Sequence, residues 1–234
     1  MKVIARLMAR GIGSSLPGKN AYPILGKPML WRFLKEIKKA QFIDEIFVWT
    51  EDGELEDIAK ECDCSVIPRK MDQVFYHGGF SDPCQWDDYI NQYIIDQCGT
   101  IGDVIIYLNC NYCLMTADIL ETMFTRLVAD DESYSVIPIT KVEPYLYMEN
   151  PKTGCLFPVW VDDSLKQNEY PDLYRIGGIS MRYPVKSNPH LTRILYHEVE
   201  PEFLIDVDSI EGVRLAEYYM MRRLGGKVVL PQKI

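Results

Sequence analysis

Residues 1–20, MKVIARLMARGIGSSLPGKN, join an apolar run to a basic, glycine-rich loop. Lys2 to Met8 reads as a buried strand, with Val3, Ile4 and Leu7 in a short apolar run. Glycines at 11, 13 and 18 let backbone N–H groups turn toward an anion with no side chain in the way. Arg10 and Lys19 add permanent positive charge. In an open parallel sheet, ligands bind beyond the carboxyl ends of the strands, and the loop after the first strand is such a place. The spacing is not G-x-x-x-x-G-K-[ST], because Asn20 follows Lys19 and Pro17 interrupts, and it is not G-x-G-x-x-G. The loop reads as an anion cradle.

Outward from this stretch, strand and helix alternate. Met29 to Ala40 has apolar residues at 29, 30, 33, 34 and 37, behind Pro28, which is helical spacing. EIFVWT (45–50) is a second strand, Gly53 to Cys62 a Glu-rich helix, and Cys64 to Pro68 a short strand. Pro83 to Cys98 is a helix capped by Ser81 or Asp82. DVIIYL (103–108) is the strongest strand signal; Asp118 to Val128 is a helix capped by Thr116, and YSVIPIT (134–140) is a strand. The alternation predicts an α/β fold with a mostly parallel sheet covered on both faces. The pattern then breaks over Glu143 to Tyr174, rich in proline and aromatics, which reads as an insertion of short strands or a β-ribbon. Strands are expected near Gly178 to Arg182 and Phe203 to Asp206, and a last amphipathic helix from Ile210 to Leu224.

With 234 residues the chain suits one domain carrying an inserted segment. Its net charge of −9 argues against a nucleic-acid polymer as partner. No segment is apolar for long enough to span a bilayer, and no long apolar stretch follows Lys2 and Arg6, so no membrane contact and a cytoplasmic location are expected. The charge is uneven: no Asp or Glu occurs before Glu36, while Lys2, Arg6, Arg10, Lys19, Lys27, Arg32 and Lys35 all do. That basic end suits a small anion, or it is a solvated face. The seven cysteines, an odd number, argue against a disulfide framework. Cys110 and Cys113 form the one C-x-x-C pair, which leaves zinc or ordinary buried thiols as readings.

ARGIGSSLPGKN (9–20), followed by PILGKPML, resembles the opening A-R-G-G-S-x-x-x-P-G-K-N of the cytidylyltransferases that activate sugar acids, among them the CMP-sialic acid, Kdo and pseudaminic acid enzymes. The similarity continues in order through VWTEDGELEDIAKE, VIPRK, YLNCNYCLMT, QNEYP and LIDVDSIEGVRLAE. The resemblance implies a Rossmann-like three-layer nucleotidyltransferase (nucleotide-diphospho-sugar transferase) fold over 1–234, with 143–176 as an inserted dimerisation segment of a homodimer. It implies transfer of CMP from CTP to a small acidic acceptor, a keto-deoxy sugar acid first of all, with release of pyrophosphate. Arg10 and Lys19 would be catalytic, holding the triphosphate with Ala9, Gly11, Gly13 and Ser14. Asn20, Arg69, Ser81 and Asn109 would complete the nucleotide site. Asn111, Tyr112, Gln167 and Tyr174 would meet the acceptor.

Asp206 and Asp208 fall at i and i+2, so on a strand both carboxylates face one way and can reach one Mg2+ or other divalent ion, which is where the resemblance places metal-binding aspartates. Either could instead cap the helix starting near Ile210. Asn20 can read a cytosine edge with its amide, or hold its own loop. The acceptor side departs from the family: Q-P-T-S-P-L-R is NCNYCLM here, with Met115 for an arginine, and Gln167 stands for another. An acidic acceptor wants fixed cations, so Arg175, Arg182 or Lys141 are candidates to compensate, and a non-sugar acid or a phosphonate stays open as acceptor. A glycosyltransferase of similar fold and a non-catalytic nucleotide sensor are the competing readings.

Overall fold

A computed structural model describes residues 1–11, 16–69, 84–142, 147–149, 152, 156–158, 172–184 and 192–225. Its core is a sheet in the order β10-β7-β11-β6-β1-β4-β5. The strands in this order are Leu173–Ile176, Ser133–Val142, Ser180–Arg182, Val104–Leu108, Val3–Met8, Glu45–Thr50 and Ser65–Pro68. β1, β4, β5 and β6 run parallel, while β11 is antiparallel to both β6 and β7. β12 (Arg193–Glu198) adds to β7 in parallel. Pro23–Ile24 (β2) and Lys27–Pro28 (β3) form a small hairpin, and Tyr147–Glu149 (β8) with Leu156–Pro158 (β9) an antiparallel ribbon inside the segment expected to be inserted.

Period-two alternation sorts the strand residues to two faces. Val3, Ala5, Leu7, Ile46, Val48, Val104, Ile106 and Leu108 share one apolar core with α1 (Met29–Ile37), α2 (Gly53–Glu61), α4 (Ala117–Ala129) and α5 (Ile210–Arg223). Ile4, Phe47, Trp49 and Ile67 form the other core, under Ile90 and Ile94 of α3 (Cys84–Cys98). The sheet is therefore sandwiched by helices, the three-layer arrangement expected.

Local chemistry explains the element ends. Asp52 caps α2 by accepting from the N–H groups of Glu54 and Leu55 at 3.0 and 3.1 Å, and Thr116 caps α4. The β2–β3 turn puts Leu25 and Gly26 at φ 47° and 74°, the conformation that a two-residue hairpin prefers. Arg32 braces it by donating to the Leu25 carbonyl at 2.6 Å.

Three expectations are corrected. α1 ends at Ile37 rather than Ala40, because the N–H groups of Lys39 and Ala40 turn back to the carbonyls three residues before, at Glu36 and Ile37. Phe203 to Asp206 is not a strand: Pro201–Leu204 is a 3-10 turn, and 205–208 is irregular. α5 is capped by Ser209, which accepts from Gly212 N–H at 3.1 Å, so neither Asp206 nor Asp208 is the cap.

Candidate nucleotide site

The carboxyl ends of β1 and β6 open into a cavity of about 580 Å³. Arg10, Lys19, Asn20, Asn109 and Asn111 line it, together with Arg6, Trp49, Trp86, Asp87, Tyr107 and Gly178. Residues 101 apart in sequence meet there because β6 lies directly beside β1, Arg6 opposite Tyr107.

The loop after β1 is held from behind. Gly11 N–H donates to Glu51 Oε1 at 2.8 Å, so this amide is engaged by a carboxylate rather than facing the cavity as the cradle reading expects. Only glycine fits at 11: a Cβ there would stand 2.0 Å from Asp52 Oδ2. Ala9 is buried, its N–H on the Trp49 carbonyl at 3.0 Å. Asn20 is also buried, and Nδ2 donates to the Arg10 carbonyl at 2.8 Å while Oδ1 accepts the Cys110 thiol at 2.9 Å. The loop-holding role of Asn20 is thus visible, and one N–H and one lone pair of its amide remain for a ligand. Gly13, Ser14, Ser81 and Gln167 lie outside the described residues.

Lys19 bonds Asp208, and Asn111 Nδ2 donates to the same carboxylate oxygen at 3.3 Å. Val207 is pinned between the two aspartates by its N–H on the Asn111 carbonyl at 3.1 Å. The carboxylates are therefore placed by irregular backbone tied to the end of β6, not by the pleat of a strand. Asp206 is exposed and Asp208 about half exposed (48 %). Among the described residues no three His, Cys, Asp or Glu side chains cluster as a metal cage. Two accessible carboxylates fit the way Mg2+ is usually held, by one or two protein oxygens with substrate phosphate and water completing the shell.

Arg69 is buried beside Glu51 at 3.8 Å and lies over the Trp49 ring at 4.4 Å. Burial lowers its pKa, Glu51 opposes that, and Arg10 adds to the lowering; Arg10 lines the cavity, whereas Arg69 sits against Trp49 and is not among the lining residues. Asn109 ends β6 by accepting the Asn111 N–H at 3.0 Å on its side chain. Tyr112 packs into the core against Gly178, where a Cβ would come within 2.6 Å of its ring. Burial, then Asp206, pushes its phenol pKa up. Tyr174 is exposed on β10 and is not among the cavity's lining residues, so the structure does not bring it to the others. Cys110 and Cys113 are both buried, and burial pushes each thiol up to about 12, which suits wall residues.

The sequence reading missed Asp87, Trp49, Trp86 and Tyr107, and treated Arg6 only as part of a basic end. The signal for Arg6 was present: it interrupts the buried apolar run VIARLM, where a solvated charge has no place.

Residues 4–73 match the family model for cytidylyltransferases, so the N-terminal resemblance is borne out over the strand, the loop and the segment through Arg69. No curated protein matches the chain. Among solved structures, a CMP:2-keto-3-deoxy-manno-octonic acid synthetase complexed with CTP aligns at TM-score 0.66 and 17% identity, over 95% of this chain and 100% of that one. The 4-diphosphocytidyl-2C-methyl-D-erythritol synthase of Anaerococcus prevotii DSM 20548 aligns at TM-score 0.62 and 12% identity, over 94% and 99%. A second 4-diphosphocytidyl-2C-methyl-D-erythritol synthase aligns at TM-score 0.65 and 12% identity, over 94% and 98%. At these identities the likeness is one of fold: the chain shares the nucleotidyltransferase fold of these neighbours, aligned over 94–95% of its length.

Proposed function

We propose that the protein is a CTP-dependent cytidylyltransferase that moves CMP onto an acidic acceptor. The observation that carries this reading is the cavity at the carboxyl ends of β1 and β6, which Lys19, Arg10 and Asn20 line, with Asp208 paired to Lys19 beside it. The cytidylyltransferase match over 4–73 and a fold shared with a synthetase complexed with CTP support the choice of nucleotide.

In this reading Arg10 and Lys19 hold the triphosphate, and Asn20 and Arg69 face the base and ribose. An acceptor oxygen attacks the α-phosphorus in line; the new P–O bond forms as the bond to pyrophosphate breaks, and the acceptor's proton leaves to water. The chain's contribution is placement and charge. Lys19 neutralises negative charge as pyrophosphate departs, and its release from Asp208 frees both groups for that work. Asp206 and Asp208 would hold Mg2+, which when bound supplies charge neutralisation on the phosphates. No cysteine is needed as nucleophile: Cys110 lies buried behind Asn20, hydrogen-bonded to it, and burial pushes its thiol up to about 12.

A keto-deoxy sugar acid is the preferred acceptor, in line with the octonic acid in the name of one structural neighbour, and a non-sugar acid or phosphonate is the alternative. We read the chain further as a cytoplasmic homodimer that docks through 143–176. The ribbon of β8 and β9 supports a built element there, and no described helix is long and apolar enough to cross a membrane.

The test is pyrophosphate release with CTP, Mg2+ and a panel of octulosonic, nonulosonic and phosphonate acceptors. Release with at least one of them, dependent on CTP over UTP, ATP and GTP, is expected. Preference for a UDP-sugar over CTP would replace this reading with a glycosyltransferase, and tight CTP binding without turnover on any acceptor would replace it with a nucleotide sensor.

A further inference from the structure

We infer that Arg6 and Arg182, gathered on Tyr107 at the floor of the cavity, form the seat for the anionic group of the acceptor. This rests on the cytidylyltransferase reading and names the part of the acceptor that the chain recognises.

The seat follows from strand register. Arg6 pairs with Tyr107 across β1 and β6, and Ser180 pairs with Tyr107 across β11 and β6. Arg182 is two residues beyond Ser180, so all three side chains share the face covered by α3. The Arg6 and Arg182 guanidinium carbons stand 4.0 and 4.2 Å from the centre of the Tyr107 ring, and each donates an N–H to its hydroxyl oxygen. Two guanidiniums thus crowd one ring.

Among the described residues a single carboxylate faces them. Asp87, in the first turn of α3, lies 3.0 Å from Arg6 and 3.7 Å from Arg182. Its side chain is 46 % exposed, whereas Arg6 is 7 % exposed and also held by a 3.0 Å bond to Asn91 Oδ1. Among the described residues, two guanidiniums against one carboxylate leave positive charge at the floor of a cavity that Arg10 and Lys19 also line. A guanidinium buried in a strand interior is costly unless it meets an anion. Burial lowers the Arg6 pKa, Tyr107 and Asp87 oppose that, and the neighbouring Arg182 adds to the lowering.

An incoming carboxylate or phosphonate takes the place of Asp87 between the two forks, the bidentate geometry for which arginine is suited. This supplies the fixed cations that Met115 and Gln167 withdraw from the family's acceptor side. The ligand class is a small hydroxy acid whose anion sits on the sheet floor and whose hydroxyl reaches the nucleotide beside Asn109 and Asn111.

The experiment is calorimetric titration of the full chain with 3-deoxy-D-manno-octulosonate, N-acetylneuraminate and 2-hydroxyethylphosphonate, and separately with CTP and Mg2+. The three acids distinguish a sugar carboxylate from a phosphonate. At least one binds the wild type; Arg182→Met weakens it by about tenfold or more, as loss of a charge-assisted contact does. Asp87→Asn tightens the same acid, because the internal competitor is gone, an effect that a merely structural role for Asp87 would not give. CTP affinity stays within about twofold in both variants, since neither residue touches the nucleotide loop. Binding of none of the acids to the wild type, or equal affinity in all three proteins, overturns the seat. CTP affinity falling in step with acid affinity moves the seat under the nucleotide and overturns it as well. Failure of CTP to bind the wild type counts against the cytidylyltransferase reading, while the acid titrations still decide the seat.

Discussion

The Lys19 ammonium is paired with the Asp208 carboxylate, joining the loop after β1 to the segment before α5. In the proposed reaction each belongs to something else, Lys19 to phosphate and Asp208 to Mg2+. The pair therefore keeps the two charges solvated by each other until substrate separates them. Lys19 is nearly buried at 13 % exposed, and the pair opens toward solvent on the Asp208 side.

Removing either partner should have opposite consequences. Lys19→Met should weaken CTP binding by about 10- to 100-fold, the loss of a charge-assisted contact to phosphate. Asp208→Asn should leave CTP affinity in EDTA unchanged or improved, and abolish the gain in affinity that Mg2+ gives the wild type. Titrations with and without Mg2+ check both, and a Mg2+ effect surviving in Asp208→Asn would remove this carboxylate from the metal site.

Cys110 orients Asn20 by donating its thiol to Oδ1, so it is a positioning residue for the nucleotide. Cys110→Ala should cost about 1–2 kcal/mol of stability through a small cavity and an unmatched acceptor. It should also raise KM for CTP while changing kcat little. Cys110→Ser, which keeps a donor, should recover most of the CTP KM; equal defects in Ser and Ala would mean that the contact only fills space.

Much of this architecture was readable in the sequence. The helical spacing at 29, 30, 33, 34 and 37 and the apolar runs at 45–50 and 103–108 are local signals, and each became the expected element. β12 was missed because its six residues, RILYHE, are a half-exposed strand with charges at both ends, visible only once β7 offers a partner. Asp206 and Asp208 were expected on one face of a strand, and that strand is absent, although Asp208 does pair with Lys19. Pro201 favours the turn that replaces the strand, and the Val207–Asn111 bond that places them joins residues far apart in sequence. The Arg6–Tyr107–Arg182 cluster needs the register of three strands, which no one stretch of sequence contains.

The alkaline limb of the stability curve should be steep. Cys64, Cys110 and Cys113 each rise from 9.0 to about 12 on burial. A raised pKa means that the folded state holds the proton more tightly, so stability is full below about pH 9 and is lost as pH rises toward 12. Each thiol adds a slope of about 1.4 kcal/mol per pH unit in that window. Urea titrations between pH 8 and 10.5 should show the fall, and Cys64→Ala should flatten it by about one thiol's share relative to wild type. A flat profile would contradict the burial of these thiols.

Gly11→Ala should displace the loop, because the new methyl would overlap the Asp52 carboxylate that caps α2. A loss of about 1–2 kcal/mol is expected from the disturbed cap, together with weakened CTP binding. Unchanged stability and affinity would show that the loop has room to move aside.

The central claim is that the α-phosphate of CTP moves to an acidic acceptor. Wild-type protein incubated with Mg2+, acceptor and CTP labelled at the α-phosphorus should pass the label to the acceptor and release unlabelled pyrophosphate in equal amount. Label remaining in CTP with every acid tested, while UDP-sugars bind in preference to CTP, would contradict the account.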